Sequence, residues 1–230
     1  LFEEFPQEIA AVIVEPAAAN MSVVPPEEGF LPGLRQLCTR YGAVLIFDEV
    51  ITGFRLGFTG AQGYYGVDAD LVTYGKIIGA GLPVGAYAGK KGVLSMVAPA
   101  GPVYQAGTLS GNPVAMQAGL AQLTYLKEHP QVYKELNEKG NWFFEELKKT
   151  AEASKLECQV NHTGSLGSIF FTKVPVKDYA SAKTSDTELF ASWFRFMLNR
   201  QYYFAPSQFE AIFLSAAHTK EELQIVLEDG

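Results

Sequence analysis

The stretch AVLIFDEV, residues 43–50, decides the fold class of this chain of 230 residues. Its apolar residues show no polar alternation, a pattern typical of strands that are buried on both faces of a parallel sheet. A similar run, AAVIVEP at 10–16, precedes it, and DLVTYG at 70–75 and VGAYAG at 84–89 follow it. We therefore predict central parallel strands at 10–16 and 43–50, and further strands in the two later runs.

A helix is predicted between the first two strands. Apolar residues recur there at helical spacing, at Phe30, Leu34, Leu37, Cys38 and Tyr41. Gly42 stands where a helix commonly ends. A strand, a helix and a strand in this order form one right-handed crossover unit, so the first half of the chain is predicted to be an α/β layer with a mostly parallel sheet.

A second domain is predicted after a long helix. Asn112 can cap a helix, and Pro113 suits the first helical position, so we expect a helix from there to about Glu128. The composition changes beyond this point. We place residues 1–128 in a large domain that ends in this interdomain helix, and residues 129–230 in a smaller α+β domain.

The second half contains a β-rich stretch and two capping boxes. The stretch covers approximately residues 158–174. Ser185 with Glu188, and Thr219 with Glu222, have the spacing in which a hydroxyl and a carboxylate cap the same helix start. Each pair predicts a helix that begins immediately after it.

The charge and the cysteine content exclude several function classes. With 18 Lys and Arg against 25 Asp and Glu, the net charge is −7, which leaves no basic surface for nucleic acid or anionic lipid. The two cysteines are far apart, which argues against a disulfide framework and a metal site, and no targeting segment is visible. We expect a cytoplasmic protein. The stretch 92–126 has no charged residue, so we expect the fold, a ligand or a second subunit to cover it.

Two residues at predicted strand ends carry the candidate chemistry. Asp48 ends one strand, and Lys76 follows the next strand in an apolar setting, where desolvation would lower the amine pKa and favour attack on an aldehyde. Alone, such an Asp is also typical of a helix cap or an ion pair, and such a Lys is usually solvated. Together they match what pyridoxal phosphate needs: a lysine for its aldehyde and a carboxylate for its ring nitrogen.

The surrounding motifs carry a family resemblance. They are EPAAANM at 15–21, FDEVITGFRLG at 47–57, LVTYGKIIGAGLPVGAYAGK at 71–90, PAGPVYQAGTLSGNPVAM at 99–116 and YFAPSQFEA at 203–211. The chain resembles the glutamate-1-semialdehyde 2,1-aminomutases, a branch of the class III aminotransferases within the fold type I pyridoxal-phosphate enzymes. The Asp and Lys motifs are common to class III, whereas the segments near Thr108 and Glu210 resemble the aminomutase branch.

This resemblance implies a role for each candidate cofactor residue. Lys76 would bind the cofactor as a Schiff base and shuttle protons, and Asp48 would pair with the pyridine nitrogen. Val50, two residues beyond Asp48 along an extended strand, would pack on the ring. Gly107 and Thr108 would reach the cofactor phosphate of a neighbouring subunit in a homodimer.

The substrate side and the reaction are also implied by the resemblance. Asn20 and Glu210 would line the cofactor and substrate pocket. The family starts its cycle with the pyridoxamine form of the cofactor and converts glutamate-1-semialdehyde to 5-aminolevulinate for tetrapyrrole synthesis, without an external amino donor. A class III aminotransferase with an external donor remains an alternative.

The resemblance covers only the C-terminal part of a family member. The half that holds the phosphate loop, the stacking aromatic residue and the substrate carboxylate site has no counterpart in residues 1–230. We therefore expect this polypeptide alone to lack full mutase activity. A third hypothesis, besides the mutase and the external-donor aminotransferase, is a non-catalytic fragment that pairs with an intact subunit.

Overall fold

The computed structural model describes residues 1–154 and 156–230. The chain divides into two compact units. The first comprises Leu1–Pro16 and Glu28–Pro130, and the second comprises Ala17–Glu27 and Gln131–Gly230. Among the described residues, no helix combines the length and the apolarity needed to cross a membrane.

The first unit is an α/β layer, as predicted. Its elements are β1 (Ala11–Val14), α1 (Phe30–Tyr41), β2 (Val44–Asp48), α2 (Gly60–Tyr65), β3 (Leu71–Tyr74), a short 3-10 helix (Lys76–Gly79), β4 (Ala86–Gly89), α3 (Lys91–Leu94) and α4 (Pro113–Glu128). The sheet order is β1-β2-β3-β4. The first three strands are parallel and β4 is antiparallel. The predicted mostly parallel sheet with flanking helices is therefore confirmed.

The two strands predicted to be central differ in burial. Among the described residues, β1 pairs with β2 alone, and Ile13 of β1 is 64% exposed. Only β2 has the expected burial: Leu45 and Phe47 are fully buried and pack in the core of the unit with Leu31 and Cys38 of α1. A run of apolar residues predicts a strand, but it does not reveal how many neighbours the strand has.

Asp70, directly before β3, forms hydrogen bonds to α1, to β2 and to the residue that follows β4. Its Oδ2 accepts hydrogen bonds from the Leu45 amide and from Arg35 Nη1, both at 2.8 Å, and its Oδ1 accepts one from Lys90 Nζ at 2.5 Å. Burial by itself raises the pKa of Asp70, but the hydrogen bonds from Lys90, Leu45 and Arg35 outweigh it and lower the pKa from 3.8 to about 2. The ionised carboxylate therefore stabilises this end of the sheet.

The second unit is α+β, as predicted. Its elements are α5 (Gln131–Ala153), β5 (Gln159–Thr163), β6 (Leu166–Phe170), α6 (Tyr179–Ala182), α7 (Thr187–Asn199), β7 (Ile212–Phe213) and α8 (Lys220–Asp229). The three strands form an antiparallel sheet in the order β5-β6-β7. Phe143 and Phe144 of α5 form its core with Leu214, Leu223 and Leu227.

The segment 17–27 departs from the domain boundary placed by sequence, because it belongs to the second unit. Val24 is buried against Phe170 and Val176, and the Val23 amide donates to Ser168 Oγ at 2.9 Å. These contacts pair residues distant in sequence, so no local pattern predicts them.

Two of the three predicted helix-capping residues cap their helices in the structure, and the third does not. Asn112 caps α4, and Thr219 forms a capping box with Glu222 at α8. The box predicted at Ser185 is wrong: Asp186 caps α7, and Ser185 is buried. The Asp186 amide donates to the Phe171 carbonyl at 2.9 Å, which holds Asp186 in place immediately before the first turn of α7.

Candidate active site

Asp48 lies at the carboxyl end of β2, directly beside Thr73 of β3 in the parallel register. Its Oδ1 accepts hydrogen bonds from the Val50 amide at 3.0 Å and from Thr73 Oγ1 at 3.1 Å. Within residues 1–154 and 156–230, both hydrogen bonds to this carboxylate go to Oδ1 and none goes to Oδ2. One oxygen is therefore fixed while the other is available for a ligand.

Lys76 follows β3 at the same edge of the sheet. Gly75 has an extended backbone, and Lys76 adopts a positive φ of 48° where the 3-10 helix begins. The sheet edge therefore brings Asp48 and Lys76 to neighbouring strand ends, since Lys76 is three residues beyond Thr73, the partner of Asp48.

The surroundings of Lys76 differ from those expected. The sequence predicted an apolar, desolvated amine, but Lys76 is exposed. The small apolar residues that follow it form the 3-10 helix and a turn and do not cover its side chain. The residues that the structure describes therefore do not shield this amine.

Helix α4 supports the turn that carries Lys76. Gln122 Nε2 donates to the Ile77 carbonyl at 2.6 Å. A Cβ atom on Gly119 would lie 2.3 Å from the Ile78 carbonyl oxygen, so only glycine permits this approach of the helix. These contacts fix the backbone on the C-terminal side of Lys76.

Val50 lies at this edge too, but for a reason other than the predicted strand alternation. Strand β2 ends at Asp48, and the chain turns, so that the Val50 amide donates back to the Asp48 carboxylate. The Val50 side chain then lies against Gly75, where an added Cβ would be 3.3 Å from Cγ1. Val50 therefore contacts the residue before Lys76.

Gly107 and Thr108 lie in an exposed turn before α4. The Ser110 amide donates to the Gly107 carbonyl at 2.9 Å. Gly107 lines a largely apolar groove of about 940 Å³, together with Tyr74 and Tyr87. Thr108 is exposed outside the lining of this groove.

The uncharged stretch around this turn is not covered by the fold. Its exposed apolar side chains are Met96, Val103, Tyr104, Leu109, Val114, Met116, Leu120 and Tyr125. The sequence predicted that the fold, a ligand or a second subunit covers this stretch; in the part of the chain that the structure describes, the fold does not cover these eight side chains.

Asn20 and Glu210 belong to the second unit, where both are exposed. Ser22, which is fully buried, joins the segments that carry them. The Ser22 amide donates to the Phe209 carbonyl at 3.0 Å, and Ser22 Oγ donates to the carbonyls of Gln208 and, at 3.3 Å, Glu210. The second unit therefore brings these two predicted residues together.

Sequence reasoning missed two residues at the Asp48 edge, Thr73 and Glu49. Thr73 was part of a predicted strand, and its position opposite Asp48 depends on the register of β2 and β3. Glu49 is fully buried beside Asp48. The only local signal was a second acid directly after a strand-end Asp, and such a residue is more often exposed.

Comparisons with known proteins agree on one family. The profile described as Aminotransferase class-III matches residues 1–192. The chain is 61% identical, over 99% of its length and 53% of the relative, to "Glutamate-1-semialdehyde 2,1-aminomutase 1" of Lachnoclostridium phytofermentans. The chain spans about half the length of the curated relatives it matches.

Solved structures of similar chains include aminotransferases with other substrates. A β-phenylalanine aminotransferase from Variovorax paradoxus superposes with a TM-score of 0.92 and 31% identity, over 99% of this chain and 52% of that one. A structure described as a transaminase with PLP bound has a TM-score of 0.84 and 26% identity, over the same shares of the two chains.

Proposed function

Because this chain belongs to the class-III aminotransferase family, we propose that it binds pyridoxal 5'-phosphate and takes part in converting glutamate-1-semialdehyde to 5-aminolevulinate, a step of porphyrin biosynthesis. The observation that carries the proposal is the placement of Asp48 and Lys76 at neighbouring strand ends of one sheet edge. The 61% identity to a protein named as an aminomutase supports this isomerase reaction. The similarity to a transaminase with PLP bound supports the cofactor.

The residues at the edge fit this cofactor. When bound, pyridoxal phosphate supplies an aldehyde and a pyridine ring that accepts the electron pair of a carbanion. The Asp48 carboxylate, oriented through Oδ1 by Thr73 and Val50, holds a proton at the ring nitrogen. Lys76 holds the cofactor through Nζ and moves protons, and Val50 packs on the ring.

The remaining site residues extend the proposal to both units and to a second subunit. Gly107 and Thr108 contact the cofactor phosphate of the neighbouring subunit in a homodimer, and Asn20 and Glu210 contribute to the substrate pocket. The exposed apolar side chains of the uncharged stretch support a homodimer, because such a surface favours association. The large domain binds the cofactor, and α4 connects it to the small domain.

We place the protein in the cytoplasm. Both cysteines, Cys38 and Cys158, are free, which supports a reducing compartment.

Borohydride reduction in the presence of pyridoxal 5'-phosphate tests the cofactor site. We expect a pyridoxyl group on Lys76, identified by peptide mass spectrometry, and its loss in Lys76→Ala. Lys91→Ala is the matched control, because Lys91 is an exposed lysine of the same unit. Asp48→Asn should lower incorporation about tenfold at limiting cofactor, since the charge-assisted contact to the ring nitrogen is lost. Equal labelling of Lys76→Ala and Lys91→Ala would contradict the proposal.

A second candidate reaction is amino transfer from an external donor. The similarity to the β-phenylalanine aminotransferase favours it, because that protein is named for amino transfer and superposes on this chain with a TM-score of 0.92. Product analysis with glutamate-1-semialdehyde as sole substrate separates them, since only a mutase completes turnover without a second amine. We expect residues 1–230 alone to lack full mutase activity; steady 5-aminolevulinate formation by purified residues 1–230 would contradict that expectation.

A further inference from the structure

Glu49 is a fully buried acid that the proposed function does not use. Its Oε2 accepts hydrogen bonds from the Ala61 amide at 2.5 Å and from Thr52 Oγ1 at 3.2 Å, and its Oε1 accepts one from the Gln62 amide at 3.3 Å. A buried carboxylate is tolerated when its oxygens are hydrogen-bonded, and these three donors meet that condition.

Two glycines pack closely on Glu49, one on its carboxylate and one on its main-chain carbonyl. Gly60 has a φ of 63°, and a Cβ atom there would lie 2.3 Å from Glu49 Oε2. A Cβ atom on Gly53 would lie 2.6 Å both from the Glu49 carbonyl oxygen and from Cδ1 of Tyr74. The loop therefore accepts no larger residue at either position, and the Glu49 carboxylate has little room to move.

The main chain of Glu49 is held as firmly as its side chain. Its amide donates to the Thr73 carbonyl at 3.0 Å, and its carbonyl accepts from the Gly53 amide at 2.9 Å. Asp48 and Val50 flank this fixed residue, and they are themselves joined by the hydrogen bond from the Val50 amide to Asp48 Oδ1. The position of Glu49 therefore determines the geometry of the 48–50 corner.

We infer that Glu49 is a positioning residue: its buried carboxylate anchors the 48–50 corner to the start of α2 and so holds Asp48 in the orientation that the cofactor needs. The inference rests on the proposed function, because the orientation of Asp48 matters for catalysis only if Asp48 meets the cofactor.

The hydrogen bonds of the carboxylate predict that glutamine, a neutral residue of the same shape, does not form the same contacts. Burial raises the pKa of Glu49 above its ordinary value, and the hydrogen bonds from Ala61, Gln62 and Thr52 oppose that rise. Both oxygens act as acceptors. Glutamine presents one oxygen and one NH2 group, which only donates, so Glu49→Gln leaves at least one amide of α2 facing another donor.

Amide exchange of the cofactor-free chain tests the anchoring directly. Hydrogen exchange of the Val50 amide, followed by NMR, should become about tenfold faster in Glu49→Gln, since a buried charge-assisted contact is lost. Gln62→Ala is the matched control: its side chain accepts from the Ala69 amide at 2.9 Å, so its loss loosens α2, while the main-chain amide of residue 62 still donates to the Glu49 carboxylate. We expect Val50 exchange in Gln62→Ala to match that of the unsubstituted chain.

Visible circular dichroism of bound pyridoxal 5'-phosphate tests the consequence for the site. At saturating cofactor, the signal per bound cofactor should change in Glu49→Gln but not in Gln62→Ala, because the signal reports orientation and not the fraction of folded protein. Unchanged Val50 exchange, or an unchanged signal per bound cofactor, in Glu49→Gln would overturn the inference.

The two measurements distinguish failure of the proposed function from failure of the inference about Glu49. If the unsubstituted chain binds no pyridoxal 5'-phosphate at Lys76, the proposed function is wrong, and so is the role of Glu49 towards the cofactor. The exchange measurement then still decides whether Glu49 anchors the corner.

Discussion

Replacing Asp70 by Asn should destabilise the first unit in a way that depends on pH. The substitution keeps the shape of the side chain and an oxygen that can accept from the Leu45 amide, but it removes the charge that pairs with Arg35 and Lys90. The Asp70 side chain is only 11% exposed, so solvent screens its pair with Arg35 weakly, whereas Lys90 is 63% exposed and its pair with Asp70 is screened more strongly.

The magnitude follows from the pKa of Asp70, which the fold lowers from 3.8 to about 2. Each tenfold change in acidity corresponds to about 1.4 kcal/mol, so ionised Asp70 contributes about 2 kcal/mol to the free energy of unfolding. Because the folded-state pKa is the lower one, this contribution is fully present above pH 3.8 and is lost as the pH falls through about 2.

Urea unfolding of the two chains, followed by far-UV circular dichroism, measures the difference. We expect the free energy of unfolding of Asp70→Asn to be about 2 kcal/mol lower than that of the unsubstituted chain near neutral pH. This difference should become smaller as the pH falls below 3.8. Both tryptophans, Trp142 and Trp193, belong to the second unit, so tryptophan fluorescence serves as an internal control.

Asp68→Asn is the matched substitution, because Asp68 is an exposed acid two residues earlier. It should change the free energy of unfolding by less than about 0.5 kcal/mol. A loss in Asp70→Asn that is equally large at all pH values, or no larger than that of Asp68→Asn, would refute the electrostatic explanation.

Two further substitutions test packing and capping. Asn112→Ala should lower the free energy of unfolding by about 1 kcal/mol, because α4 loses the side chain that accepts from its first amides. Urea unfolding measures this loss. Asn112→Ser should retain most of the stability, and equal losses in both variants would argue against the cap. Gly140→Ala should destabilise the second unit by about 1–3 kcal/mol, although alanine is the better helix former, because the added Cβ would lie 2.2 Å from the Gly164 carbonyl oxygen. Tryptophan fluorescence during unfolding measures the second effect, and a stability at or above that of the unsubstituted chain would contradict it.

Much of the fold was predictable because its signals are local. The apolar runs became β1, β2 and β3, and the Asn112–Pro113 pair marked the start of α4. Such patterns depend on residues within one or two turns of each other, and those residues interact in nearly any tertiary context. For the same reason, Asp48 and Lys76 were identified as strand-end residues before their neighbours were known.

Other features arise only when distant segments meet. The capping residue of α7 is Asp186 and not the predicted Ser185, and the Asp186 amide is held by the carbonyl of Phe171, a residue of a different segment. Lys76 was expected to be shielded, but shielding depends on what packs over it, and in this chain it is exposed.

The sequence by itself determined the α/β and α+β character of the two halves, the main helix starts and the two residues on which the proposed chemistry depends. Only the tertiary structure decided in which order the strands pair, that residues 17–27 join the second unit, and that Glu49 is buried beside Asp48. The physical reason is that periodicity records which side of an element is apolar, whereas strand order and burial depend on pairing between segments far apart in the chain.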